Sequence, residues 1–174
     1  MLLACHSATV PSAGTHPELG AAFRRDTTPL FQTDSVIYTL RADSLGYSAD
    51  IRVRFTNRTS DTTYFVNCDR AIQVSLEKLN DGQWRAVWSP LLPLCLSPPI
   101  VVPPGGRYDT RIDVFGGYSG GNSMPQFSVG EVAGVYRAVW HDALRSYRDH
   151  PPFGEPLALE HRLSNRFAFR LQAR

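Results

Sequence analysis

The sequence predicts an all-β fold, an antiparallel sandwich of about seven to nine short strands. Three observations carry that expectation. Apolar and polar residues alternate with period two in stretch after stretch, as in Ile51-Arg52-Val53-Arg54-Phe55. Such alternation sets one face of a strand against a core and the other in water. Thirteen Gly and thirteen Pro are scattered through the 174 residues, so turns interrupt the chain often. No helical periodicity is sustained anywhere. The length suits one domain that buries roughly two thirds of its unfolded surface, and 43% hydrophobic against 20% charged residues excludes wholesale disorder.

Residues 1–30 read as a start and a tether. His6 to Pro29 is rich in Ser, Thr, Ala, Gly and Pro and lacks periodicity beyond a helical turn at Glu18–Arg25, the composition of a linker or of a frayed terminus. The folded domain is expected over residues 31–174. Val36, Tyr38 and Leu40 share a face in its first clear strand. Ile51, Val53 and Phe55 point inward in the next, with Arg52, Arg54 and Thr56 outward. Asn57 to Asp61 is a turn by composition, and Thr62–Cys68, β-branched and aromatic, is a strand.

A hairpin follows. Ile72 to Glu77 and Gln83 to Trp88 alternate on either side of Asn80-Asp81-Gly82, whose residues tolerate positive φ. Trp84, Ala86 and Trp88 are placed on one face, with one tryptophan anchoring the core. Six prolines between Ser89 and Gly106 predict an irregular loop rather than a central strand. Tyr108, Thr110, Ile112 and Val114 alternate with Asp109, Arg111 and Asp113 in another strand. Phe115 to Gln126 reads as a Gly-rich loop, Phe127–Val132 leads to a strand at Gly134–Trp140, and His141–Pro156 reads as a long loop. Leu157–Leu163 forms a single helical turn before a last strand carrying Phe167, Phe169 and Leu171.

Cys68 and Cys95 bracket the hairpin and can close on each other, which would stabilise the fold by roughly 3–4 kcal/mol. The third of the three cysteines, Cys5, follows Leu2-Leu3-Ala4. That stretch resembles a bacterial lipoprotein cleavage box, in which small and aliphatic residues precede a lipid-modified cysteine. The resemblance implies acylation of Cys5, a Cys68–Cys95 disulfide and an oxidising, extracytoplasmic address. A signal peptide needs roughly 7–15 apolar residues before its cleavage site, so this reading requires a start upstream of Met1; otherwise the match is coincidental.

The order of Phe55-Thr56-Asn57, Tyr64-Phe65-Val66-Asn67-Cys68, Leu76-Glu77-Lys78 with Asp81-Gly82 and Trp84, Pro103-Pro104-Gly105-Gly106, Gly134-Val135-Tyr136-Arg137 and Leu163 to Phe167 resembles bacterial immunoglobulin-like domains of secreted and lipid-anchored proteins. It is more distantly similar to the immunoglobulin-like intracellular proteinase inhibitors. The resemblance covers about Val36 to Leu171 and implies an immunoglobulin-like sandwich, with Gly134-x-Tyr136 as its tyrosine corner. It carries over no catalytic residue. Arg166, where proline is frequent in such domains, and the long Ser119–Gln126 insertion depart from the pattern.

Signals for chemistry are sparse. Gly117-Tyr118-Ser119-Gly120-Gly121 fits a nucleophile elbow, and Asp149 and His161 follow in hydrolase order. An elbow needs a strand running into a helix, whereas Gly121-Asn122-Ser123-Met124-Pro125 breaks any helix, so the stretch is expected to be a loop. The five histidines show no metal-ligand spacing, and His141-Asp142 reads as a surface pair. No Gly-Lys-Ser/Thr phosphate cradle exists, and no cofactor is implied. Net charge is +2; from Arg137 onward seven Arg face four acidic residues, an excess of +3. A solvated outer face accounts for that excess, and nucleic acid is not expected as a partner. Among aromatic residues, Tyr118, Trp88 and Trp140 are the candidate ligand contacts, although core packing accounts for most rings on alternating strands.

The expected function is a non-enzymatic, lipid-anchored module that binds protein or glycan at the cell envelope. A proteinase-inhibitor-like regulatory domain is the alternative, and a hydrolase using Ser119 is the remote one.

Overall fold

The computed structural model describes residues 29–92 and 95–172. Eleven strands follow one another: β1 (Phe31–Thr33), β2 (Ile37–Ala42), β3 (Gly46–Thr56), β4 (Thr63–Asn67), β5 (Val74–Asn80), β6 (Gln83–Trp88), β7 (Ser97–Val102), β8 (Arg107–Gly117), β9 (Gly134–Trp140), β10 (Ala143–Leu144) and β11 (Phe167–Leu171). A four-residue 3-10 turn at Leu159–Arg162 sits where the helical turn was expected. Among the described residues there is no α-helix, and no helix is long and apolar enough to cross a membrane.

The strands make a sandwich-like arrangement. In the larger sheet the order is β1-β3-β2-β11-β9-β5-β6, with β8 on the other side of β3, and a second sheet holds β10-β4-β7. β2 passes between layers. Its end, Arg41–Ala42, pairs antiparallel with Tyr47–Ser48, while Ile37 to Leu40 runs parallel to Ala168 to Leu171. The other strand pairs among the described residues are antiparallel.

Alternation builds the core as expected. Ile51, Val53 and Phe55 are buried on β3, Ile112 and Val114 on β8, and Leu40 on β2. Phe31 stacks flat on Trp140 with ring centroids 3.9 Å apart, and Phe55 and Phe65 meet edge to face at 5.0 Å. Offset and edge-on ring pairs of this sort add to the energy of plain burial. At the far end Tyr136 packs on Phe169 at 4.8 Å, and its hydroxyl donates to the Val132 carbonyl at 2.6 Å. This hydrogen bond ties the strand entry at Gly134-Val135-Tyr136 to the segment before it.

The structure corrects four expectations. The strand count is eleven, because β1 and β10 are too short to show a period and β7 lies inside the proline segment. Ser97–Val102 is a strand despite Pro98 and Pro99 because, among the described residues, it pairs with β4 alone, and an edge leaves one side free of ladder bonds. The Gly-rich loop begins later than expected, since β8 continues through Phe115, Gly116 and Gly117. Trp84 and Trp88 do not share a face. The turn itself is as predicted, with Asp81 at φ 50° and Gly82 at φ 75° closing Asn80 against Gln83. Beyond it, Glu77 pairs with Ala86 but Leu76 pairs with Trp88. The extra residue, Val87, forms a bulge that reverses the faces of the strand.

Asn57 joins three segments at one end. Its fully buried amide donates to Asp61 and Val102 carbonyls at 2.8 and 2.9 Å and accepts from Thr59. Asn57 is thus a structural polar junction, with both amide hydrogens used.

Candidate functional site

The described residues form one groove beside β8 and another beside the last strands. The first, about 1300 Å³, runs along Tyr108 to Asp113 of β8 and reaches Asp69–Ile72 and Pro90–Leu92. The latter two segments flank the joined cysteines. Cys68 and Cys95 lie within disulfide distance, their Cα atoms 5.1 Å apart. Asp69 and Arg70 adopt positive φ, and the Asp69 amide donates to Ser97 Oγ, so the tight turn after Cys68 is fixed from both sides. Leu91 projects with 64% of its surface exposed.

Charges on the outer face of β3 and β8 are laid out in pairs. Arg54 meets Asp109 through two hydrogen bonds of 2.7 and 3.0 Å. Arg111 reaches Asp113 at 2.7 Å and Asp50 at 3.4 Å. The Arg54 guanidinium hydrogen-bonded to Asp109 holds that carboxyl below the usual carboxylate range. All these groups are more than half exposed, so they organise the surface rather than stabilise the fold.

The second groove, about 880 Å³, lies between the Arg58–Asp61 turn and the segment from Leu157 to Arg166. Arg58, Arg137, Arg145, Arg166 and His161 line it against Asp61 and Glu160. Three of the seven arginines from Arg137 onward line this groove. Arg137 is held by Glu77 at 2.6 Å, with both side chains about four-fifths buried, and its guanidinium stacks 4.5 Å from the centre of the Trp84 ring. Arg166 approaches the same ring at 5.7 Å. Two guanidiniums against one indole form a cation–π arrangement, which is why Trp84 belongs on the outer face. Arg145 is paired with Glu155.

The predicted site residues are dispersed. Cys5 lies outside the described residues, as does most of the tether. Trp140 is 1% and Trp88 4% exposed; both belong to the core, and Trp88 Nε1 donates to the Phe115 carbonyl at 2.9 Å. Tyr118 keeps a partly exposed ring, set edge-on to Tyr47 at 4.8 Å, while its hydroxyl donates to the Asp43 carbonyl. Among the described residues, Ser119, Asp149 and His161 share no hydrogen bond, and no helix follows Ser119. The glycines around Ser119 have a packing reason instead. A Cβ on Gly117 would lie 2.8 Å from Ser123, and Gly120 turns the chain at φ 77°.

No protein-family model matches this chain, and neither a curated protein nor a solved structure resembles it closely enough to indicate a relative.

One contact escaped the sequence reading. Ser75 Oγ lies 2.9 Å from His141 Nε2, because β5 and β9 place Ser75 opposite Val139, two residues before His141. A hydroxyl within hydrogen-bond reach of an imidazole is the arrangement of a nucleophile–base pair. Ser75 is only 7% exposed and lies outside both grooves, so the contact ties strands together. Burial raises the carboxyl of neighbouring Asp142, with His141 acting in the opposite direction. Among the described residues, no group of three or more His, Cys, Asp or Glu is placed to hold a metal ion.

Proposed function

We propose that this chain is a non-enzymatic, immunoglobulin-like binding module carried at the cell envelope on an acylated Cys5, taking a protein or glycan partner with acidic groups in the arginine-lined groove. The observation that carries the address is the meeting of Cys68 and Cys95. Their pairing leaves Cys5 as the odd thiol and suits an oxidising compartment. The binding half rests on the cations gathered beside Trp84, and loops of a rigid sandwich are suited to recognition.

Intact mass spectrometry of the protein from its native host tests the address. The expected product begins at a diacyl- or triacyl-modified Cys5 and contains one disulfide. An unmodified chain with three free thiols overturns it. For the groove, the charge-reversed pair Arg145→Glu and Arg166→Glu is expected to bind an immobilised acidic glycan at least about tenfold more weakly than the parent chain; unchanged retention overturns that half.

One observation favours the proteinase-inhibitor reading as a second. Pro90 and the exposed Leu91 sit on a segment held near the Cys68–Cys95 junction, a constrained, projecting apolar loop of the kind a protease cleft accepts. Absence of inhibition across serine and metalloproteases at micromolar protein disposes of it.

A further inference from the structure

We propose that two copies of this chain join edge to edge through β8, antiparallel about Thr110, to form one continuous sheet. The argument begins with which way the backbone faces. The Thr56 amide donates to Leu30 and the Asp34 amide donates to the Arg52 carbonyl, so even-numbered residues of β3 turn toward β1. Odd-numbered residues of β3 therefore turn toward β8, where their partners are the even-numbered Tyr108 to Gly116. Successive residues of a strand alternate in direction, so the odd-numbered residues of β8 face the open side.

Near the end of the strand those groups are capped. The Phe115 carbonyl accepts from Trp88, and Gly117 bonds to Pro125 and Phe127. From Arg107 to Asp113, no strand among the described residues lies on that side. Four residues thus present N–H and C=O outward from an edge with neither proline nor bulge. Other edges are blunted, β7 by two prolines and β6 by its bulge. A long, regular edge is a template for another strand.

The side chains of these four residues read Arg107, Asp109, Arg111, Asp113, all exposed on the outer face. In an antiparallel pair centred on Thr110, Arg107 stands opposite Asp113 of the second copy, and Asp109 opposite Arg111. Every cross-strand pair is of opposite charge. All eight outward backbone groups are hydrogen-bonded by the same register. Moving the centre to Asp109 or Arg111 sets arginine against arginine. Moving it to Tyr108 or Ile112 keeps opposite charges but loses half of the pairs. Directly opposed charges stabilise and like charges destabilise a strand pair, so one register is selected. On the inner face it joins Tyr108 to Ile112 and Thr110 to Thr110. Tyr108 and Thr110 are the half-exposed inward residues of the strand, and an added strand would cover them. The contact is isologous, the closed form of a two-fold dimer. It leaves the arginine-lined groove untouched, so it stands independently of the proposed partner.

Sedimentation of the full chain tests the proposal. A species of twice the monomer mass is expected, and Arg111→Pro, which removes an outward N–H that no described residue accepts, is expected to be monomeric with an unchanged circular dichroism spectrum. The double variants Arg107→Asp/Arg111→Asp and Asp109→Arg/Asp113→Arg are each expected to weaken self-association at least about tenfold, and their equimolar mixture to associate again. A parent chain that remains monomeric at concentrations on the order of 0.5 mM, or an Arg111→Pro chain that dimerises as tightly as the parent, overturns it. So does a mixture that fails to associate although both double variants are folded.

Discussion

Trp84 and Trp88 stand four residues apart on β6 and face opposite sides of the sheet. Trp88 is buried against Phe127 with its indole N–H bonded to the Phe115 carbonyl, while Trp84 lies under the guanidiniums of Arg137 and Arg166. Truncation should therefore separate them. Trp88→Ala is expected to cost about 3–5 kcal/mol through the cavity and the lost hydrogen bond, and Trp84→Ala about 1 kcal/mol. Urea unfolding of the two variants measures both; equal losses would mean that the bulge at Val87 does not separate the rings.

Removal of the Cys68–Cys95 link tests the staple. The cysteines are separated by 27 residues, so Cys95→Ser is expected to lower stability by roughly 3–4 kcal/mol on the chain-entropy model. Parallel denaturant titrations of the oxidised parent and the variant give the difference, and a difference near zero refutes the constraint.

Alkaline pH should unfold the domain through its tyrosines. Burial, then the Glu131 charge, raises the Tyr136 phenol above its ordinary value of 10.0; burial, then the hydrogen bond with Asp34, raises Tyr38 likewise. A raised folded-state value means that the unfolded chain loses its protons first. Their contribution is complete below about pH 10 and is lost as pH climbs above it. Of seven tyrosines, these two are expected to ionise only as the fold is lost. Phenolate absorbance followed together with circular dichroism tests this. Complete ionisation near pH 10 with the fold intact would sink it.

At neutral pH, Tyr136→Phe isolates the hydrogen bond from Tyr136 to Val132. Its deletion leaves the buried end of the Val132 loop without its donor, at an expected cost of about 1–2 kcal/mol. A midpoint shift in urea without a change in slope is the expected signature.

The Gly-x-Ser-x-Gly stretch should be sensitive at the packed glycine that precedes it and indifferent at its serine. A Cβ on Gly116, the residue immediately before the motif, would stand 2.8 Å from the Phe127 ring and 3.0 Å from Trp88. Gly116→Ala is expected to cost about 1–3 kcal/mol by overpacking. Ser119→Ala should change stability by less than about 0.5 kcal/mol. Thermal unfolding of the pair distinguishes a packing motif from an essential hydroxyl.

The amino-acid order alone determined what depends on neighbours along the chain: the inward set Ile51, Val53 and Phe55, the Asp81-Gly82 turn and the single helical turn near Leu159. Each is local because a strand repeats every two residues and a turn needs only its own dihedrals. Tertiary structure decided which face Trp88 takes, where Pro98 and Pro99 become tolerable, how Ser75 finds His141, and how arginines from distant segments gather beside Trp84. These depend on register against a partner strand, and one extra residue in a ladder, invisible to any period in the sequence, exchanges the inside of a sheet for its outside.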